Sequence, residues 1–214
     1  MRAYSSSTDD LFGRQFDSLS GVPNSSIYPN QTIIVPNTIS ELTAVSLEEA
    51  KAILPVFDNN SDGFITSLIR AVEEQVGRYI KIDLTKRQRT SYWKNPFPKL
   101  RLSFGPHGTI TQVQTRDRFG TSTNLTAGTN YLVYGLEYKD IEITSSPAPI
   151  DTVYVTYWSG YEDGECPEAI KMACIQELNF QYKNRQDANQ PSIAIINGLT
   201  AESRMLLETY IRRT

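Results

Sequence analysis

Between Ser61 and Ile80 the apolar residues Ile65, Leu68, Ile69, Val72, Val76 and Tyr79 recur on one stripe at 3.6 residues per turn. Arg70, Glu73, Glu74 and Arg78 take the other faces. The stretch predicts one long amphipathic helix, capped by Ser61 or Asp62, as the wall against which later strands pack. Upstream, Ser46-Leu47-Glu48-Glu49 has the spacing of a capping box, which predicts a short helix over 47–54 that stops at Pro55. After Ile82 the period changes to two. Strands are expected over 85–93, 100–102, 109–116, 131–134, 141–143 and 153–157, separated by Gly, Pro and Asn turns. Short strands divided in this way predict an antiparallel sheet or a small barrel-like unit.

Helical spacing returns after Cys166-Pro167-Glu168, with the proline at or near the first turn. Ile170, Ala173, Cys174, Ile175, Leu178, Phe180 and Tyr182 spread over more than one face of this helix. A helix apolar on two sides is usually buried on two sides, and a neighbouring subunit can supply the second. A polar linker with an apolar plug, Ile193 to Ile196, leads to a last helix capped by Thr200. The first 44 residues read as an extended arm with two apolar islands. One holds Leu11, Phe12 and Phe16, and the other holds Ile33, Ile34 and Val35 between Pro29 and Pro36. The second island has the character of a strand that adds to a sheet edge. These six residues are the expected contacts of the arm with neighbours, and a solvated tail is the alternative.

The chain has 214 residues, 39% hydrophobic and 21% charged, enough for one domain with a real core plus arms. It holds no apolar run long enough for a membrane helix, and its first ten residues lack the apolar segment of a secretory signal. Charge changes the picture more. Residues 81–118 hold nine basic side chains against two acidic ones, a local charge of +7 that leaves −10 on the rest of a chain with a net charge of −3. Lys86, Arg87, Arg89, Lys94, Lys99, Arg101, Arg116 and Arg118 thus form a candidate basic surface for an acidic partner or another copy. The alternative is a set of solvated strand faces.

Candidate chemistry is sparse. Asp58 to Gly63 matches positions 1, 3, 5 and 6 of a calcium loop, but Ile69 stands where position 12 needs a bidentate glutamate, so a turn is the expected structure. Cys166 and Cys174 have no zinc or redox spacing. His107 is the only histidine, it lies in a Gly/Pro turn, and no nucleophile motif accompanies it. No catalytic, metal or cofactor site is expected, and the chain does not read as an enzyme.

The order of these parts resembles the head–tail connector (adaptor) family of tailed bacteriophages, also found in gene transfer agents. The resemblance rests on Val45 to Lys51 followed by Asp62 to Tyr79, on Leu100 and Leu102 ahead of Gly105-Pro106 and Ile110, and on Val153 to Gly160-Tyr161. It continues through Pro167 to Arg185 and Leu199 to Arg213. It implies an α+β, mainly helical fold: a small helical bundle with an inserted antiparallel β unit, an extended N-terminal arm and a C-terminal helix. The expected division is an arm over 1–44, a core over 45–198 with the β insertion at about 83–160, and a docking helix over 199–214. The implied function is structural, as a homo-oligomeric ring in the virion neck, typically of twelve copies and assembled in the host cytoplasm. Such a ring docks below the portal protein, extends the DNA channel without sequence-specific recognition, and offers a surface to stopper or tail proteins. No membrane and no cofactor is implied. Leu206, Leu207, Tyr210, Ile211, Arg212 and Arg213 are the implied portal interface. Two alternatives remain. One is a stopper or tail-completion protein. The other is a nucleic-acid module that uses the basic segment, with Tyr92 and Trp93 for stacking.

Overall fold

The structure is a computed structural model that describes residues 27–35, 43–54, 56, 59–184 and 198–211. Leu11, Phe12, Phe16, Arg212 and Arg213 lie outside the described residues, as does the plug at 193–196. Helix α1 spans Leu47–Ile53 and opens on a complete capping box, with the Glu49 N–H donating to Ser46 Oγ and Glu49 Oε2 accepting from the Ser46 N–H at 2.8 Å. Helix α2 spans Asp62–Ile80 and buries Ile65, Ile69, Val72, Val76 and Ile80. It ends at Lys81, which takes the left-handed conformation. Near this end Gly77 lets the chain fold back, since a Cβ there would stand 2.8 Å from the Ile82 carbonyl oxygen. Helix α3 spans Glu168–Asn184 and α4 spans Ala201–Leu207, followed by a single 3-10 turn over Glu208–Tyr210.

Eight strands complete the described fold: β1 Gln31–Ile34, β2 Arg87–Lys94, β3 Lys99–Arg101, β4 His107–Arg116, β5 Ser122–Asn124, β6 Tyr131–Tyr134, β7 Asp140–Ile143 and β8 Thr152–Ser159. They form two antiparallel sheets, ordered β1-β2-β8-β4-β5 and β3-β7-β6. Helix and strand are about equally represented. The fold is therefore α+β, but the expectation of a mainly helical chain is not met, because the β unit is a two-sheet sandwich with its own interior.

That interior corrects a second expectation. The stripe on α2 does not pack on the strands. It packs with Ala50 and Leu54 of α1, Ile170, Ala173, Cys174 and Leu178 of α3, and Leu207 of α4. The strands close on each other around Trp93, Leu100, Val113, Ile141, Val153, Val155 and Tyr157. The central strand β8 alternates as a sheet with a buried face requires, sending Val153, Val155 and Tyr157 inward. Residues 81–85 cross between the two interiors. Ile82 and Leu84 belong to the helical core, while the Asp83 N–H donates to the Gly105 carbonyl at 3.0 Å. At the far end of β8, Gly160 has φ +97°, and a Cβ there would overlap the Thr85 carbonyl, so the sheet returns to the helices only through glycine.

Candidate assembly surfaces

The apolar island of the arm is placed within the chain itself. β1 pairs antiparallel with β2, from Gln31 opposite Tyr92 to Ile34 opposite Arg89, and the Val35 N–H donates to the Gln88 carbonyl. Ile33, Ile34 and Val35 thus take an edge of their own sheet, and only the Ile33 side chain is strongly exposed.

The basic segment is not one surface. Arg89 and Asp83 are both buried and form a bidentate pair, Nε to Oδ2 at 2.6 Å and Nη2 to Oδ1 at 2.7 Å. The Ser159 hydroxyl also donates to Asp83, and the Arg89 guanidinium lies 3.9 Å from the centre of the Phe104 ring. Arg87 sits beside the same carboxylate, at 3.5 Å, and donates to Thr85 Oγ1. Lys86 pairs with Glu162 at 2.6 Å. Lys99 and Arg101 both reach Asp140, and Arg101 also donates to the Tyr28 hydroxyl. Arg116 donates to the Gly120 carbonyl, and Arg118 stacks on Phe119 in the β4–β5 turn.

Arg89 therefore leaves the expected basic surface, because a buried guanidinium needs its carboxylate in place, and half-buried Arg87 is turned to the same carboxylate. Trp93 also leaves the stacking pair: it is fully buried, with its indole N–H donated to the Ile27 carbonyl at 3.2 Å. Lys94, Arg116 and Arg118 are the cations at that end of the sheet without a carboxylate partner among the described ion pairs. If the protein binds duplex DNA, the plot of log K against log salt should fall with a slope no steeper than about −3, as three phosphate contacts allow. Filter binding from 50 to 200 mM salt (on the order of the range used for such plots) checks this, and a slope near −8 would restore the whole basic segment as the contact.

At the C-terminus, α4 is part of the helical core. Leu207 is fully buried, while Leu206, Tyr210 and Ile211 pack against the core from outside. The Thr200 N–H donates to Glu177 Oε2 at 3.0 Å, and Ser203 Oγ donates to the Ala173 carbonyl. Leu207 is thus removed from the expected portal interface, and deleting residues 200–214 would strip the core rather than leave a folded monomer. Beside α4 the outer face of α3 carries a hollow of about 530 Å³ lined by Gln176, Asn179, Phe180 and Lys183. Gln176 Oε1 and Asn179 Oδ1 of this hollow, and Arg204 Nε of α4, are buried without hydrogen-bond partners.

The titratable groups are structural. The lysine of α1 occupies the calcium-like loop, since Lys51 Nζ donates to Asn59 Oδ1 at 3.0 Å and to Asp62 Oδ1 at 2.7 Å. Ile69, at the twelfth position, is buried in the core. His107 is not in an open turn but begins β4, buried. Its Nδ1 accepts from the Lys139 N–H at 2.8 Å, so Nε2 carries the proton towards the Ser103 carbonyl. Burial pushes the Cys166 thiol up to about 12 and raises Cys174 well above the usual range, which suppresses the thiolates that reaction would require. Desolvation raises Glu73 to about 7, against the pull of the Val45 and Ala44 N–H groups and of Arg87 and Arg70. Buried Glu73 and Glu177 are not legible in the sequence, because acidic residues on a helix read as solvated, and the Asp83–Arg89 pair is not, because it joins the segment after α2 to the interior of β2. Among the described residues no His/Cys/Asp/Glu group could hold a metal, and no helix is long and apolar enough to cross a membrane.

No curated protein matches the sequence. Solved structures share the fold, among them three from gene transfer agent particles. The neck of an empty GTA particle computed with C6 symmetry aligns with TM-score 0.66 at 16% identity, over 86% of this chain and 96% of that one. The virion of a native gene transfer agent (GTA) particle gives 0.61 at 15%, over 83% and 95%. The neck of a native GTA particle computed with C12 symmetry gives 0.57 at 16%, over 83% and 95%. The family model for head completion proteins matches residues 43–204, from the approach to α1 through to α4. The resemblance to a phage head–tail connector family is borne out, and this chain belongs to the head completion protein family.

Proposed function

We propose that the chain is a structural protein of the virion neck: a connector that forms a ring below the portal, extends the DNA channel and offers a landing surface to stopper or tail proteins. The family match over both the helical layer and the sandwich carries this reading. The fold shared with GTA necks solved under C6 and C12 symmetry supports a ring, with twelve copies as the expected number. A mechanical role also suits the chemistry, because the thiols are suppressed and the single histidine is tied into the sandwich. Electron microscopy of the chain co-expressed with the portal protein of its own genome tests the proposal. A second ring stacked on the portal, or on the portal of filled heads, is the expected result. Portal vertices that never carry this chain, in filled heads as well as empty ones, would overturn it.

Within that reading the division into arm, core and docking segment becomes a proposal about surfaces. The portal-facing surface is the outer side of α3 and α4, where three buried polar atoms lack partners, a state that natural proteins seldom leave unsatisfied. Met205, on α4, has 76% of its surface exposed. Met205→Glu should leave the unfolding midpoint within about 0.5 kcal/mol of the parent and lower co-purification with the portal by roughly tenfold, about 1.4 kcal/mol. Undiminished docking would move the interface off this face.

A further inference from the structure

We propose that copies of the chain join head to tail through two sheet edges that no described strand covers, β1 of one copy against β6 of the next. The inference rests on the neck-ring reading and names the surfaces that close the ring.

The two edges lie on opposite flanks of the sandwich. β1 borders β2, and the segment that leads into it also covers the outer side of β3, where the Arg101 N–H donates to the Ile27 carbonyl at 2.7 Å. β6 lies on the other flank, tied at its start to the chain that follows β5 by the bridge between Ala127 and Tyr131. The turn after it reaches β4, where the His107 N–H donates to the Glu137 carbonyl. Beyond that bridge, neither β1 nor β6 has an outer neighbour among the described residues.

Edges of this kind normally carry charge, proline or a bulge to block pairing with another chain. Here β1 is Gln-Thr-Ile-Ile and β6 is Tyr-Leu-Val-Tyr, each four residues long and each without a charged side chain. Of the two other edges, β5 is Ser-Thr-Asn and polar, and β3 is Lys-Leu-Arg, charged at both ends and bonded on its outer side to Ile27. Val133 shares the inward face of β6 with buried Tyr131, yet it is 41% exposed. The opposing sheet ends in the three-residue β5. Leu136, in the following turn, is 90% exposed, and Ile33 on β1 is 51% exposed.

The backbone is also available. The Tyr131 carbonyl accepts from the Gly128 N–H and so points away from β7. In an antiparallel ladder alternate residues face the same way, so the N–H and C=O of Val133 point outward as well. Two different edges on opposite flanks make a heterologous contact, which closes into a ring when the rotation between copies closes. A two-fold pairing of β6 with β6 would instead stop at a dimer.

Crosslinking in purified virions tests the pairing. Ile33→Cys and Leu136→Cys are introduced together, and the particles are treated with a short bis-maleimide. Cys166 and Cys174 are buried, and the two new thiols sit on opposite flanks of one copy, so products must join copies. The expected result is a ladder of covalent multimers, absent when either cysteine is introduced alone. Val133→Pro removes one outward N–H without touching the ladder to β7, and it should lower the multimer yield at least tenfold with an unchanged thermal midpoint of the isolated chain. Multimers with Leu136→Cys alone would establish a two-fold contact and overturn the proposal. So would crosslinks to a different virion protein only, or particles with the normal amount of chain and no multimers. Particles that lack the chain altogether would refute the neck reading itself.

Discussion

Asp83→Ala should cost about 3–5 kcal/mol of stability, the range observed when one partner of a buried ion pair is removed. Asp83 and Arg89 are both buried, and the guanidinium gives the carboxylate two hydrogen bonds, at 2.6 and 2.7 Å. Without the aspartate, Arg89 keeps its charge inside the protein with the Phe104 ring beneath it, and no described carboxylate replaces the lost one. The Ser159 hydroxyl loses an acceptor at the same time. These partners come from different parts of the fold. Asp83 follows α2, Arg89 lies in β2 and Ser159 ends β8, so the pair fastens the helical layer to the sandwich. Urea denaturation measures the loss, with an unchanged slope as the sign that the same surface is exposed. The double replacement Asp83→Leu with Arg89→Met should recover most of it, because exchanging both ions for apolar groups removes the unpaired charge. A loss below about 1 kcal/mol in the single variant would place the pair in the range of a solvated surface bridge.

How much of this was legible in the sequence follows from what each element shows to a one-dimensional reading. α1 and α2 were legible because their caps and stripes are local, and so were β6 and β8, whose apolar runs stand between turn residues. β5 was not, since Ser122–Asn124 has no apolar alternation and becomes a strand only by pairing with β4. The proportion of helix was overestimated for a related reason. Strands of three or four residues carry weak periodic signals, and the closing of two sheets on each other is a non-local event. The same limit explains the charge map. Nine cations in one segment look like a surface until Asp140 and Glu162, distant in sequence, fold back onto Arg101 and Lys86. The arm's second island reads as an edge strand from its sequence, and its host is β2 of the same chain. The resemblance to the head–tail connector family is legible nonetheless, because it rests on the order of capped helices and strand motifs rather than on pairing.

Glu73 should make the protein more stable as the pH falls from about 8 to about 5. Its carboxyl is buried on α2, and desolvation raises it from the ordinary 4.5 to about 7, although the Val45 and Ala44 N–H groups and the charges of Arg87 and Arg70 pull the other way. Between those two values the folded chain holds a proton that the unfolded chain has released. Stability therefore drops as pH rises through this window and levels off above the folded value. At 1.36 kcal/mol per pH unit, the charge costs up to about 3 kcal/mol at pH 8 (on the order of the full shift) and almost nothing below the unfolded value. The hydrogen bond from the Val45 N–H, 3.0 Å to Oε1, needs an oxygen but not a charge. Glu73→Gln keeps that acceptor, so it should stabilise the protein by about 2–3 kcal/mol at pH 8 and by less than about 0.5 near pH 4.5, which flattens this part of the pH profile. Urea midpoints at the two pH values decide the matter. Equal destabilisation at both would mean that the carboxylate is held ionised by its N–H donors and that burial is not the dominant influence. The segment ahead of α1 is thus fastened to α2 through a group that titrates near neutrality: burial favours the protonated form, while the N–H donors of Ala44 and Val45 bind the ionised form more tightly and offset part of its cost.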